Sequence, residues 1–251
     1  MEYRNTAPKT VIPVQAELVE RIEWFIRLRW LAGVGLLGAA IVPTPLLGIV
    51  FPRTPLLVTA AVLVAYNLGL LIHARRILPR AAETGAGAKV NVFANFQISV
   101  DLIILTALLH FAGGVENPFR CYYVFHMIIA SILLERRAAF LQCTLASLLV
   151  IGLALLEWSD VLGHVHLQGY TAECLHESGL YILSVLFVAI TTFYLSVYMA
   201  TSITEQLRAK DKAIVAAQAL AESRADDLSE ANYRLREADA AKSQLMVRLE
   251  H

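Results

Sequence analysis

Ionisable side chains lie inside or beside long apolar segments of this sequence, where water is scarce. Asp101 lies near the middle of the stretch "NFQISVDLIILTALLH". A carboxylate in a membrane-embedded segment costs about 3 kcal/mol or more unless it has a partner. Asp101 is therefore expected to be protonated and hydrogen-bonded between helices, to face the interior of a helix bundle, or to line the cavity of a redox-active or proton-linked ligand.

The polar stretch "FAGGVENPFR" separates two apolar segments and predicts a tight helical hairpin. A glycine such as Gly113 or Gly114 can adopt the positive φ of a sharp helix end. Asn117 is a good N-cap, and Pro118 suits the first position of the next helix. A hairpin of this kind needs only one of the two glycines and does not need Phe119, so these two residues call for another explanation.

The same stretch carries groups that a flat carbonyl ligand such as a quinone requires. The two glycines open backbone amides to a ligand, and the Asn117 amide can donate a hydrogen bond to a ligand carbonyl. Phe111 and Phe119 supply ring faces. His110 and His126 flank the loop, and each is either a polar anchor at the membrane surface or a ligand contact.

A further stretch, "HVHLQGYTAECLHE", contains the residue types of zinc and copper sites in His-x-His and Cys-x-His spacings. The four candidate ligands are His164, His166, Cys174 and His176. The long gap between the pairs favours an interfacial amphipathic segment whose histidines reach the water, with a bound metal as the alternative.

The composition determines which elements position these residues. The chain has 251 residues, of which 57% are hydrophobic, and its formal net charge is zero. Its mean hydropathy is +0.59. This composition predicts an all-α polytopic membrane protein rather than a soluble domain. Three scattered cysteines exclude a disulfide framework. The polar N-terminus predicts no cleavable signal peptide.

Six apolar runs approach the roughly 20 residues that a helix needs to cross a bilayer. They cover residues 28–50, 55–74, 92–111, 119–134, 138–158 and 178–200, and the fourth is the shortest. The predicted domains are an N-terminal cytoplasmic segment over 1–27, a six-helix transmembrane domain over 28–200 and a cytoplasmic segment over 201–251. Basic residues, Arg29 among them, cluster at or just before the start of the first span and after the second, fourth and sixth. Both termini are therefore predicted to be cytoplasmic, with the hairpin at the outer surface.

The segment after the sixth span lacks Pro and Gly and is rich in charged residues and Ala. Apolar side chains recur in it in steps of four and three, as in a two-stranded coiled coil. The seam is weak because many of its positions are Ala and three carry charge, namely Lys210, Arg224 and Lys242. We expect a parallel homodimer whose marginal coiled coil transmits a signal. A single charged helix is the alternative.

Together these stretches resemble the membrane domain of RegB/PrrB-type redox-sensing histidine kinases. "GGVENPF" is similar to the GGxxNPF heptapeptide of that family, and "RLRWLAGVG" resembles the start of its first span. The resemblance covers most of residues 20–215 and implies a sensor of membrane ubiquinone or menaquinone. It implies quinone-binding roles for Gly113, Gly114, Asn117, Pro118 and Phe119. Val115 and Glu116 would occupy variable positions.

Two features depart from that family. None of the three cysteines matches its redox-active cytoplasmic cysteine, and no segment resembles the catalytic domain that would bind ATP and Mg²⁺. The final stretch "KSQLMVRLEH" resembles the start of a histidine-kinase dimerisation domain, which would make His251 the phosphoacceptor. The alternative is that the last three residues are an expression-vector remnant. On either interpretation this chain alone is not expected to autophosphorylate.

The sequence thus predicts the sensor region of a two-component histidine kinase in the bacterial inner membrane. The expected partners are a second copy of the chain, membrane lipid, a quinone and, through a kinase core, a cognate response regulator; no nucleic acid is expected. Asn117 and Asp101 are the residues best suited to distinguish quinone from quinol, with Phe111 and His126 as further contacts. Two alternatives remain: a small proton-coupled transporter or channel with a cytoplasmic oligomerisation stalk, and a sensor of a periplasmic metal.

Overall fold

The computed structural model describes residues 14–41, 52–84, 87–165 and 175–249. These ranges contain six α-helices: α1 (Val14–Ile41), α2 (Arg53–Thr84), α3 (Gly87–Phe111), α4 (Tyr122–Leu133), α5 (Arg136–Trp158) and α6 (Gly179–Leu249). Short 3-10 turns occupy Gly114–Glu116, Pro118–Cys121 and Leu175–Glu177. No strand occurs in the described ranges, and the predicted all-α class is confirmed.

Four of these helices contain segments long and apolar enough to cross a membrane. The segments are Arg53–Arg76, Val90–Phe111, Arg136–Trp158 and, within α6, Gly179–Ser243. A shorter apolar segment, Pro118–Leu133, corresponds to the fourth predicted span. The chain is therefore an all-α membrane protein, as its composition predicted.

The first helix differs from the predicted first span. It begins at Val14 rather than near residue 28, and residues 42–51 lie outside the described ranges. The segment 14–27 carries charged residues between its apolar ones but contains neither Gly nor Pro, so nothing interrupts its backbone hydrogen bonds. Hydropathy marks where a helix can enter lipid, whereas backbone chemistry determines where the helix begins.

Helix α3 is central to the bundle: it packs against α2, α4 and α5, and α1 packs mainly against α2. The core includes fully buried Ile26, Ile98, Leu102 and Met127. Helix α6 joins this core through aromatic packing with α4. On the opposite side of α5, exposed leucines recur every seven residues and form a stripe suited to lipid: Leu141, Leu148 and Leu155.

The chain divides into two compact units, residues 1–202 and residues 203–251. The second unit is the later part of α6, a charged helix whose apolar side chains are exposed in the single chain: Leu207, Ile214, Leu228 and Leu235. These residues belong to the predicted coiled-coil seam. The domain limits at 27/28 and 200/201 stay predictions.

Candidate functional site

The hairpin between α3 and α4 is built from two 3-10 turns that follow a left-handed glycine. Gly113 has φ 105° and Gly114 has φ 54°, values that strain any side chain with a Cβ atom. The Glu116 N–H donates to the Gly113 carbonyl at 3.1 Å, and the Asn117 N–H donates to the Gly114 carbonyl at 3.2 Å. The carbonyls of both glycines are therefore bonded within the hairpin.

Gly114 lies directly against the carboxylate of Glu157, which is buried at the end of α5. A Cβ atom at position 114 would overlap that carboxylate. The Val115 N–H donates to Glu157 Oε2 at 3.1 Å, so the close approach forms a hydrogen bond from hairpin to helix. The second glycine, which a simple hairpin does not need, is thus explained by its contact with Glu157.

Asn117 is the N-cap that the sequence predicted. Its Oδ1 accepts a hydrogen bond from the Phe119 N–H at 2.7 Å, and Pro118 occupies the first position of the following turn. Its Nδ2 group donates to the Ala112 carbonyl. The side chain is buried, and both ends of its amide are bonded within the hairpin. The hairpin prediction, with its glycine stop and Asn-Pro start, is confirmed.

Aromatic rings extend from the hairpin along the exposed side of α4. The ring of Phe119 stacks with that of Tyr122 at 5.7 Å, and Tyr122 lies 5.7 Å from Phe125. All three rings are about half exposed in this chain. His126 bonds to the Tyr122 carbonyl of its own helix, while Phe111 packs beside the ring of His110 at 5.0 Å.

Glu157 gathers two histidines in addition to the Val115 N–H. His110 Nδ1 lies 2.9 Å from its Oε1, and His164 Nδ1 lies 3.2 Å from its Oε2. These contacts link the end of α3, the end of α5 and the segment after α5. A buried carboxylate is stabilised by such converging donors.

Glu116 forms a second cluster beside the first. Its Oε1 accepts a hydrogen bond from the His176 N–H at 3.0 Å and lies 3.3 Å from His176 Nδ1. His164 Nε2 lies 3.6 Å from the same oxygen. The rings of His164 and His176 are stacked, with centroids 3.9 Å apart. His164 therefore bridges two buried carboxylates, Glu157 through Nδ1 and Glu116 through Nε2.

The electrostatics of this bridge favour positive charge. Burial of the His164 ring opposes its protonation, but the hydrogen bond to Glu157 and the charges of Glu157 and Glu116 together raise the pKa of His164 above its ordinary value. The negative electrostatic potential that raises the pKa of His164 would also attract a metal cation.

Asp101 lies in the bundle interior and pairs with Arg29 of α1. Arg29 Nε donates to both carboxylate oxygens at 2.9 and 3.0 Å, and its second nitrogen donates to Oδ2 at 2.6 Å. Arg29 also donates to Gln97 Oε1 at 3.0 Å, and its guanidinium lies 4.1 Å from the centre of the Phe25 ring. Of the possibilities for Asp101, the structure shows an interior position with a charged partner on another helix.

Asp101 lies away from the hairpin along α3. Asp101 lies ten positions before Phe111 in α3, and at the rise of an α-helix this spacing corresponds to about 15 Å along the axis. Among the proposed metal ligands, His164 and His176 come together, but His166 and Cys174 lie outside the described residues, as does His251. Cys121 is exposed and Cys143 is buried, and both are free thiols.

Sequence reasoning missed three residues that organise these sites. Arg29 was counted only as a topology marker, Glu116 was assigned to a variable position, and Glu157 was not considered. A signal was present for Glu157, since "LALLEW" places a carboxylate at the end of an apolar span, where it needs a partner. No spacing rule connects Arg29 with Asp101, because the two lie 72 residues apart in different helices.

Comparison with known proteins identifies the family. Residues 51–213 match the PilS-like transmembrane domain, a six-span family, so that α1 precedes the matched region. No curated protein and no solved structure matches the chain significantly. The match supports a six-span sensor domain but not the RegB/PrrB type or its quinone motif. Because it covers more than half of the 251 residues, the chain belongs to the PilS-like transmembrane domain family, a membrane domain of sensor kinases.

Proposed function

We propose that this chain is the membrane sensor region of a two-component histidine kinase and that it responds to the redox state of a membrane quinone at the α3–α4 hairpin. Family membership supports the sensor role. The observation that supports the quinone is the exposed aromatic row of Phe119, Tyr122 and Phe125, which starts at the hairpin and continues along an apolar helix. A flat lipophilic ring can reach such a surface from the bilayer and stack on it.

The hydrogen bonds of the hairpin suggest how oxidised and reduced ligand would differ. A quinone carbonyl only accepts hydrogen bonds, whereas a quinol hydroxyl also donates. A quinone that reached Asn117 would compete with the Ala112 carbonyl for the Nδ2 group. A quinol could instead donate to the Ala112 carbonyl and leave the Asn117 side chain in place. The two forms therefore favour different states of the hairpin.

The hairpin has a physical connection to the proposed output helix. Glu116 holds the His176 N–H, three residues before α6 begins at Gly179. Helix α6 then continues without a break to Leu249. A ligand that binds two states of the hairpin with affinities differing by about 1–3 kcal/mol is sufficient to bias such a helix.

In this proposal the hairpin faces the outer side of the bacterial inner membrane and both termini are cytoplasmic. The exposed apolar seam after residue 203 is covered by a second copy of the chain, as the heptad spacing indicates. ATP and Mg²⁺ bind a kinase catalytic domain, which also acts on the cognate response regulator.

The transporter alternative has less support. A proton-coupled carrier needs an acidic group that exchanges protons during each cycle. Asp101 is instead held by three hydrogen bonds from Arg29, a permanently charged partner. We assign the pair to helix packing and not to ligand contact.

A chimera in lipid nanodiscs tests the proposal, with this chain joined to the catalytic core of a soluble histidine kinase. We expect autophosphorylation to differ between nanodiscs that contain ubiquinone or menaquinone and those that contain the corresponding quinol. Phe119→Leu should reduce the difference, because it removes the first ring of the aromatic row. Phe96→Leu is the matched control, since Phe96 is 57% exposed and Phe119 is 52% exposed, but Phe96 lies in the first half of α3.

The outcomes separate the two parts of the proposal. Equal rates with quinone and quinol would refute quinone sensing, and an equal effect of the two Phe variants would refute the aromatic row as the contact. A chimera whose activity never depends on the membrane domain, including when the hairpin is disrupted, would refute the sensor role itself.

A further inference from the structure

Three potential metal ligands converge where the hairpin meets the segments on either side of residues 166–174. A carboxylate oxygen of Glu116 and one ring nitrogen each of His164 and His176 all lie within 4.8 Å of one another. The three residues come from the first 3-10 turn of the hairpin, the segment after α5 and the 3-10 turn before α6. Only the folded chain brings them together, since 48 residues separate the first from the second.

The distances within the cluster suit a small tetrahedral cation. Zn²⁺ binds imidazole nitrogen and carboxylate oxygen at about 2.0–2.2 Å, so two ligand atoms of one tetrahedral ion lie about 3.3–3.5 Å apart. Glu116 Oε1 lies 3.3 Å from His176 Nδ1 and 3.6 Å from His164 Nε2. Two of the three ligand-to-ligand distances therefore already match a tetrahedral ion, and small side-chain rotations would bring the third into range.

The surroundings orient the ligands as metal sites require. Metal-binding histidines usually donate their second ring N–H to a carboxylate, which fixes the tautomer and directs the other nitrogen at the ion. His164 Nδ1 lies 3.2 Å from Glu157 Oε2, which leaves Nε2 directed at Glu116. The Glu116 carboxylate is oriented in turn by the His176 N–H at 3.0 Å.

Burial and charge also favour a cation. The side chains of Glu116 and His164 are only 3% and 4% exposed, and that of His176 is 16% exposed. Two carboxylates, Glu116 and Glu157, lie next to the two stacked imidazoles of His164 and His176. A dication would neutralise the charge of both carboxylates.

We infer that Glu116, His164 and His176 form a binding site for a transition-metal dication of the Zn²⁺ class. Two imidazoles and one carboxylate are a known zinc ligand set that leaves a fourth position for water or another ligand. The ion would fasten the hairpin to the segment that leads into α6. Metal occupancy would thereby set how firmly the hairpin is held to that helix. The site does not depend on the proposed quinone.

Metal titration of the full chain tests this inference, with the protein purified in nanodiscs without a polyhistidine tag. We expect one Zn²⁺ per chain by calorimetry and elemental analysis. Co²⁺ should give the intense visible absorption of a tetrahedral site, which added Zn²⁺ should abolish. Glu116→Gln, His164→Gln and His176→Gln should each weaken Zn²⁺ binding by about tenfold or more.

Two controls keep the test decisive. His126→Gln changes a histidine that bonds only to its own helix among the described contacts, so it should bind Zn²⁺ like the wild type. Circular dichroism shows whether each variant keeps its helices, and His176→Gln, at the most exposed ligand, is the mildest of the three changes. Absence of stoichiometric Zn²⁺ and Co²⁺ binding by the wild-type chain, or wild-type affinity in all three ligand variants, overturns the inference.

Discussion

Two buried carboxylates in this bundle are neutralised in different ways. Asp101, in the middle of α3, is held by the guanidinium of Arg29 through three hydrogen bonds. Glu157, at the end of α5, is held by two histidines and by the Val115 N–H. Both carboxylates avoid an unpaired buried charge, but only the second relies on histidines, which are not permanently charged as an arginine is.

The contact between Arg29 and Asp101 is fixed, whereas the contacts of Glu157 are adjustable. An arginine stays charged in proteins and matches a carboxylate with a rigid fork of donors, so the Arg29–Asp101 pair holds α1 against α3 under all physiological conditions. Histidines can release a proton or bind a metal, and the Glu157 cluster also includes the backbone N–H of Val115 in the hairpin. We therefore expect the Arg29–Asp101 pair to determine the stability of the bundle. The Glu157 cluster beside the hairpin is expected to determine its response to a ligand.

The largest expected effect comes from breaking the mid-bundle pair. Arg29→Met leaves the Asp101 carboxylate buried without its charged partner, which should reduce the free energy of unfolding by about 3–5 kcal/mol. Unfolding titrations in mixed detergent micelles would measure the change. The double variant Arg29→Met/Asp101→Leu should recover most of the loss, because it removes both charges. A double variant as unstable as the single one would contradict this account.

The next effect concerns the contact of Gly114 with Glu157. Gly114→Ala introduces a Cβ atom into the space of the carboxylate, and such overpacking costs about 1–3 kcal/mol. Gly152→Ala is the matched control, since a Cβ at position 152 of α5 meets no neighbouring atom within 4 Å. The same unfolding titration should show a loss for the first variant only. Equal stabilities would mean that the hairpin does not approach Glu157 closely.

Loss of the hairpin cap should have a smaller effect. Asn117→Ala removes the acceptor for the Phe119 N–H, and losing an N-cap costs about 0.5–2 kcal/mol. Asn117→Asp keeps that acceptor and should be less destabilised at neutral pH. Hydrogen exchange at the Phe119 amide would report the change locally. An amide that exchanges at the same rate in all three proteins would argue against the cap.

The smallest effect tests whether the Glu157 cluster is redundant. His110→Gln removes one of several contacts to Glu157, while those of His164 and the Val115 N–H remain. The free energy of unfolding is therefore expected to fall by only about 1 kcal/mol. Thermal unfolding followed by circular dichroism would measure it. A loss as large as that of Arg29→Met would show that the two carboxylates do not differ in the way proposed.

Local chemistry made much of the fold predictable. The glycine stop, the Asn117 cap and the following Pro118 act within a few residues, and the structure confirms each of them. The apolar runs likewise marked the membrane-crossing parts of α2, α3, α5 and α6, because a bilayer imposes a minimum length on each span. The start of α1 was not predictable from hydropathy, since two glutamates in its first two turns interrupt the apolar pattern.

The candidate sites were predictable only in part. His164 and His176 were identified as possible ligands from residue type, but the third ligand, Glu116, lies in another loop and comes close only when the helices pack. The contact of Gly114 was not predictable for the same reason: its neighbour is Glu157, more than 40 residues away in sequence.

The sequence by itself determined the all-α membrane class, the hairpin and the charged helix that follows the last span. These properties depend on hydropathy, helix caps and heptad spacing, all of which act between near neighbours. Only the tertiary structure decided that Asp101 pairs with Arg29, that Glu157 fills the space beside Gly114 and that Glu116 meets two histidines. A buried charge takes whichever partner the packed helices bring within reach, and that choice is made between segments that are distant in the chain.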